Sequence, residues 1–334
     1  MVETCSIVYT KSVPINTAYF FLSERKFVNV NNKSKHKKAE RSRLYLARRV
    51  VFCLLLILLL IFLIRHLFSP AHPTSFPFRI FGENKLIFFK QNEIQVSEDM
   101  NRCKWDASLF RMRDGFMHYD DPQTEYATGI DVSSYQKTID WETVKSSGIE
   151  FAVLRLGYRG TTEGGLFQDS YFEDNYQGAV NVGLPVGVYF FSQALTPEEA
   201  VEEADYLLSV LNGRELQLPV VFDWEYVSDT ARTANIDSAV LSSCAEAFCS
   251  TVEKSGYKSM VYFNLYTSYL IYDMDSFGQQ SIWLAQFADQ PTYYYHYEMW
   301  QYSCTGTVSG IETEVDLNIV LDSDLVRTIK QFHS

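Results

Sequence analysis

LPVVFDWEYV, residues 218–227, reads as a buried strand that ends on two carboxylates two positions apart. Side chains in a strand alternate between faces, so Asp223 and Glu225 point the same way, about 6.5–7 Å apart along the chain. Two acids placed like this can flank one glycosidic or ester bond from one side. The preceding Leu218, Val220, Val221 and Phe222 form a continuous apolar run, which suits a parallel strand covered on both faces. Pro219 restricts only the strand's first residues. Taken alone, D-x-E at a strand end more often means only that the strand has run out into water, so its meaning depends on the strands around it.

Seven further runs accompany it: TGIDVSS (128–134), EFAVLRLGY (150–158), LPVGVYFFS (184–192), KSMVYFNLY (258–266), SIWLAQF (281–287), YEMWQYS (297–303) and EVDLNIV (314–320). Helical segments separate the earlier ones. In the best signalled, 197–211, Thr196 can cap, Pro197 suits the first position and Glu199 completes a capping box. Another runs over 237–255 and stops at Gly256. The last three strands follow one another with too few residues for full helices. This order predicts an α/β fold, an irregular TIM-like (β/α) barrel with helices mainly after its first five strands and a mostly β remainder.

In such barrels chemistry sits at the C-terminal ends of strands. Asp131, Asp223 with Glu225, and Asp316 fall late in, or just past the middle of, their strand candidates, as do Tyr158, Tyr189, Tyr262, Trp283 and Trp300. One acidic cleft lined with aromatic platforms uses them all, and rings beside carboxylates suit stacking on sugar faces. Trp141 and Trp224 read better as core.

The 334 residues are 47% apolar and 15% aromatic, which places the chain among folded proteins with room for one large domain and extras. Charge is divided unevenly. Residues 1–65 carry 12 Lys and Arg against 3 Asp and Glu, and the other 269 carry 17 against 38. VVFCLLLILLLIFLI, 50–64, would span about 22 Å as a helix, and Leu67 and Phe68 extend it if Arg65 snorkels. Roughly fifty residues precede it and no small-x-small site follows in RHLFSPAHPTS, so an uncleaved signal-anchor over 50–68 is expected rather than a secretory leader. Lys33, Lys35, Lys37, Lys38, Arg41, Arg43, Arg48 and Arg49 on its flank place residues 1–49 in the cytoplasm and everything after 68 outside. This basic cluster lacks the interleaved aromatics of a nucleic-acid binder. Residues 69–125 show no clear period and read as an extracellular stalk with a small strand or helix packed on the main domain, 126–334.

Outside the membrane, Cys103, Cys244, Cys249 and Cys304 are permitted to pair but not required to. There is no C-x-x-C pair and no His-rich spacing, and His296 is the only His between His118 and His333. Neither a metal site, a Ser-His-Asp triad nor a cofactor is expected.

GIDVSSYQ (129–136) with IDW (139–141), then FAVLRLGY, GLPVGVYFFS, LPVVFDWE, IWLAQF and MWQYS with VDLN resemble, in this order, the successive strands of glycoside hydrolase family 25, the Chalaropsis-type lysozymes or N-acetylmuramidases. The resemblance covers about 127–322. It implies an irregular (β/α) barrel that hydrolyses the β-1,4 bond between N-acetylmuramic acid and N-acetylglucosamine in peptidoglycan. It further implies retention, with the substrate's own 2-acetamido oxygen as nucleophile, an exception to the two-carboxylate scheme. Carried over by position, Glu225 resembles the general acid and base, Asp223 the group that steers the acetamide and supports developing positive charge, and Asp131 and Asp316 the other two acids of the cleft. Two positions depart from the pattern: Tyr-Phe-Phe at 189–191 stands where many members have Tyr-His-Phe, and Phe287 where Tyr is frequent. Four carboxylates in one pocket oppose each other's ionisation, which can keep Glu225 protonated near neutral pH.

The expected partners are peptidoglycan glycan strands and, through residues 50–68, the cell membrane, with the catalytic domain facing the wall. A catalytically silent glycan-binding protein on the same barrel is the rival from another class, and it would need a damaged acid pair. A chitinase-like enzyme would carry further acids upstream of the Glu, and LPVVFDWE carries only the two.

Overall fold

A computed structural model describes residues 86–277 and 280–332. The apolar run at 50–64 and its basic flank lie outside the described residues, and among those described no helix is long and apolar enough to cross a membrane. The chain first forms two hairpins, β1 (Leu86–Phe89) with β2 (Asn92–Gln95) and β3 (Phe110–Arg113) with β4 (Phe116–Tyr119). The second turns on Asp114-Gly115, both at positive φ, the pair that a two-residue hairpin loop demands.

All eight strand candidates are barrel strands: β5 (Ala127–Val132), β6 (Phe151–Arg159), β8 (Val186–Ser192), β9 (Val220–Trp224), β10 (Ser259–Asn264), β11 (Ile282–Ala285), β12 (Met299–Gly306) and β13 (Val315–Val320). A short β7 (Leu166–Gln168) folds back on the end of β6. Because β5 pairs with both β6 and β13, the ring is closed. Strands β5 to β12 run parallel around the ring, and β13 runs antiparallel to both of its neighbours. A helix follows each of the first five barrel strands: α1 (Trp141–Ser146), α2 (Phe172–Asn181), α3 (Pro197–Leu211), α4 (Ser238–Lys254) and α5 (Leu265–Leu270). An unanticipated α6 (Ser323–Phe332) follows the last strand.

The capping chemistry explains where the long helices begin and end. Thr196 Oγ1 accepts the Glu199 N–H, with Pro197 in the first turn. The Glu199 carboxylate reaches one residue further back than a capping box, accepting the Leu195 N–H at 2.8 Å while pairing with Arg232. Asp237 caps α4, and the chain leaves that helix through Gly256 at φ +89°.

Alternation along each strand builds two cores. Ala127, Phe151, Val153, Val221, Met260, Met299 and Val320 pack inside the barrel with Leu325, Val326 and Ile329 of α6. Ile130, Leu154, Val188, Phe222, Phe263, Leu284 and Ile319 face outward into a larger core shared with the helices, where Trp141 and Trp224 also lie. The interior is narrow at Gly129, where a Cβ would come within 2.4 Å of the Phe151 ring.

Among the described residues no helix covers the barrel between β11 and β12, and residues from the N-terminal side do so instead. Phe110 packs edge-on against Trp300 at 4.9 Å between centroids, Trp105 Nε1 donates to the Tyr297 carbonyl, and the Met117 N–H donates to the Tyr302 hydroxyl. The described part of the expected stalk is therefore a layer packed on the barrel.

One expectation is corrected by the topology. Asp316 is not late in its strand but second in β13, and it reaches the same rim as the C-terminal ends of β5 and β9 because β13 runs the other way. Its direct cross-strand partner is Asp131.

Gly129→Ala should overpack the interior against Phe151, costing about 1–3 kcal/mol and lowering the thermal unfolding midpoint by several degrees. Adding Phe151→Leu should recover part of the loss. An unchanged midpoint in the single variant would show that the interior has slack there.

Candidate active site

At this rim, a cavity of about 320 Å³ is lined by Asp131, Tyr189, Asp223, Glu225, Tyr262, Trp283 and Asp316, with Phe287, Gln301 and Cys304 completing the wall. Asp223 is the fourth residue of β9 and Glu225 the first beyond it, so the two-residue period delivers both acids to one side. Asp223 is held in the ladder between Phe191 on β8 and Tyr262 on β10. Glu225 has left the ladder, and its carbonyl is held by Gln193 Nε2 at 3.1 Å. Gln193 is itself fully buried and fully engaged. Its Oε1 accepts from Thr233 Oγ1 at 2.7 Å, its N–H donates to Glu203, and its carbonyl accepts from Arg232.

Asp131 is the most firmly oriented acid. Its Oδ2 accepts from Gln301 Nε2 at 2.8 Å and Asn318 Nδ2 at 2.7 Å. Each amide oxygen is in turn fixed by an aromatic donor, Gln301 Oε1 by the Tyr262 hydroxyl at 3.0 Å and Asn318 Oδ1 by Trp283 Nε1 at 2.8 Å. The only consistent orientation of both amides turns their NH₂ groups toward the carboxylate. Trp283 also meets Tyr262 and Tyr189 edge-on, at 5.1 and 6.2 Å between centroids.

Burial is the main reason that all four acids hold their protons above the usual carboxylate range. Asp131 rises to about 6, with the bonds from Asn318 and Gln301 opposing the rise. Glu225 rises to about 7, helped by the charge of Asp131, and Asp316 to about 9, helped by Asp131 and Glu225. Asp223 is pushed well above its ordinary value by burial, then by Glu225 and Asp131, while Arg155 pulls it back. Its Oδ1 is buried with no protein donor. Groups this close titrate as a set, so near neutral pH the rim holds both proton donors and a carboxylate beside one another.

Two expected site residues do not line this cavity. Tyr158 lies beyond the register shift between Arg155 and Gly157, still paired with Phe191 of β8 but past the end of β5, where β7 takes the other edge of β6; its ring stacks on Phe167 and lines a neighbouring cavity. Trp300 has the wrong parity. Its neighbours Met299 and Gln301 face the interior, so it points outward, fully buried, with Nε1 donating to the Gln286 carbonyl. The departure at Phe190 is also on the outer side, packed near Tyr206 and away from the acids.

Gln301 and Asn318 are not among the expected site residues, although alternation alone puts Asn318, two residues from Asp316, on its face and Gln301 on that of Met299. Gln193 carried no local signal, since the group it holds is 32 residues away. Among the described residues no group of His, Cys, Asp and Glu is arranged to hold a metal ion, and Cys103, Cys244 and Cys249 are free thiols.

The family model for glycosyl hydrolases family 25 matches residues 130–311. The chain is 30% identical over 200 residues to the autolytic lysozyme of Clostridium acetobutylicum, covering 59% of this chain and 57% of that protein. It is 27% identical over 208 residues to lysozyme M1 of Streptomyces globisporus, covering 58% of this chain and 68% of the other. A family 25 glycosyl hydrolase structure from Bacillus anthracis superposes with a TM-score of 0.53 at 23% identity, over 65% of this chain and 98% of that one, a likeness of fold.

Protons bind these acids more tightly in the folded chain than in the unfolded one, where carboxylates titrate near pH 4. Their contribution to stability is therefore fully present below about pH 4 and is lost as pH rises through about 6 to 9. Glu225→Gln and Asp316→Asn should each raise the unfolding midpoint at about pH 8 and change it little near pH 4.5. A gain of equal size at both pH values, or a loss at pH 8, would rule out buried charge as the cause.

Proposed function

Because this chain belongs to glycosyl hydrolase family 25, we propose that its barrel hydrolyses the β-1,4 bond between N-acetylmuramic acid and N-acetylglucosamine in peptidoglycan, with retention of configuration. The observation that carries the reading is the pairing of Asp223 and Glu225 in one aromatic-walled cavity with two further acids. The lysozymes it resembles support the same reaction, and the chain spans little more than half the length of the C. acetobutylicum relative.

Glu225, raised to about 7 by burial and by Asp131, still carries a proton near neutral pH and gives it to the leaving glycosidic oxygen. Positive charge develops at the anomeric carbon as that bond breaks. Asp223 faces it from the same strand, and its undonated Oδ1 is available to accept the N–H of the substrate's 2-acetamido group, turning the acetamido oxygen onto the anomeric carbon. Glu225, now ionised, takes a proton from the water that opens the resulting ring. Asp131, locked by Gln301 and Asn318, keeps a fixed negative potential beside Glu225, and Tyr189, Tyr262 and Trp283 shape the walls on which a sugar ring can rest.

The proposal extends to where this happens. Residues 50–68 anchor the chain in the membrane with residues 1–49 in the cytoplasm and the barrel facing the wall. With 38 Asp and Glu against 17 Lys and Arg after residue 65, the body would not adhere by charge to an anionic wall, so the tether supplies the local concentration.

Clearing of purified cell walls tests the chemistry. Glu225→Gln and Asp223→Asn should each lower kcat by about 10²- to 10⁴-fold, and the parent activity should fall as pH rises through about 7. Equal activity in all three proteins would remove the mechanism. Mass analysis of the released fragments should find muramic acid at the reducing ends; glucosamine there would make the enzyme a glucosaminidase. On cell fractionation the activity should stay with the membranes, and its full release into the medium would sink the topology.

A further inference from the structure

A second cavity, of about 680 Å³, opens beside the acid cleft. The strand register makes the two contiguous. Tyr189 of the cleft is the ladder partner of Arg155, which lines the second cavity, and Asp223 of the cleft is the partner of Phe191, which lines it too. Neighbouring strands lie about 4.8 Å apart, so β8 alone is the wall between the two spaces.

The second cavity is built as a rigid aromatic platform. Its floor is the Arg155 guanidinium, whose Nε donates to Asp169 at 2.7 Å and Nη2 to Ser134 at 3.0 Å, with the Tyr135 and Tyr158 rings 5.7 and 5.5 Å away. Phe167 stacks on Tyr158 at 5.3 Å and 27° between planes, yet remains 49% exposed, and Tyr135 is 45% exposed. The hairpin loop that leads into Phe167 on β7 is fixed from behind, Arg159 Nη1 donating to the Gly164 carbonyl and the Arg232 N–H to that of Thr161. Two large rings are thus held half in water on a support that does not need them to fold over it.

Charge narrows what this surface can hold. Arg155 is paired with the fully buried Asp169, so the floor offers ring faces and hydroxyl groups without an uncompensated cation. A polyanion gains little there. A sugar matches it, placing an apolar ring face on the aromatics and its hydroxyl and amide groups against Thr161, Ser134 and Gln168 at the edges.

The geometry points to a remote glycan subsite: Tyr135, Phe167 and Arg155 receive a sugar of the strand beyond the two that flank the cleaved bond. This rests on the glycan-hydrolase reading of the acid cleft. A cleft of about 320 Å³ lies at the small end of the ligand-pocket range, about 300–1,000 Å³. A polymer held in it must run out over one of its walls, and the β8 wall leads onto this platform.

The full chain and its Phe167→Ala, Tyr135→Ala and doubly substituted forms are compared on peptide-free glycan oligosaccharides of two and of four or more disaccharide repeats. The ratio of kcat/KM on long to short glycans should fall about 3- to 10-fold for each ring removed. Calorimetry in the Glu225→Gln background should show the same length-dependent loss of binding. A ratio that does not change, or an equal loss on short and long glycans, overturns the subsite while leaving the hydrolase reading intact. If the parent chain cleaves neither glycan but Glu225→Gln still binds the long one in a Phe167-dependent way, the hydrolase reading fails and the subsite stands. Phe167-dependent binding of a polyanion such as polyglycerol phosphate in place of the neutral glycan overturns the assignment.

Discussion

The rim of this barrel depends on one strand running against its neighbours. In β13 the inward positions are Asp316, Asn318 and Val320, polar at its beginning and apolar at its end. Run antiparallel, it sets Asp316 across from Asp131 at the mouth and Val320 across from Ala127 at the base, where α6 closes the interior. Run parallel, the same strand would carry Asp316 down to the apolar base and lift Val320 to the mouth, with Asn318 still at mid-strand, and Asp131 would lose its acidic partner. The closing strand therefore fixes which end of the ring is chemical and which is structural.

That arrangement concentrates cost in a small region and offsets it elsewhere. Burying four acids together is unfavourable whenever they ionise. Against this stands the outer core, in which every barrel strand buries its other face beneath helices or the N-terminal hairpins. The polar groups at the rim are also unequally supported. Asp131 has two amide donors with an aromatic donor behind each, whereas Asp223 has an orphaned oxygen and Glu225 is steadied only through its backbone. An acid meant to change its protonation or its partner is served by weak fixation, and one that sets a standing field by strong fixation.

The strands were legible because parallel barrel strands are buried on both faces and read as continuous apolar runs. Thr196, Pro197 and Asp237 marked helix starts by chemistry that acts over three residues. Direction is not legible in the same way, since EVDLNIV has the same alternation read from either end, and only the antiparallel pairing explains how Asp316, near the start of its strand, reaches the rim. Trp300 faces outward by a parity opposite to that of Met299 and Gln301, and what covers it there is Phe110, from a segment whose four-residue strands are too short to show a period. Tyr158 was carried away by a bulge, which one extra residue is enough to cause and which leaves little trace in composition. Gln193 acts on Glu225 through space alone.

The N-terminal layer has a mechanical consequence. Between Leu86 and the first barrel strand, the chain is stitched to the segment 294–302 by the Ser97 N–H to the Tyr295 hydroxyl, by the Cys103 N–H to the Tyr294 carbonyl, by the His296 N–H to the Asn101 carbonyl, and by Trp105 and Met117. Tension entering at Leu86 is therefore passed through these bonds to the segment that leads into and forms β12, before it can travel along the chain to β5. The layer ties the entry of the chain to the far side of the ring, next to the strand that closes it.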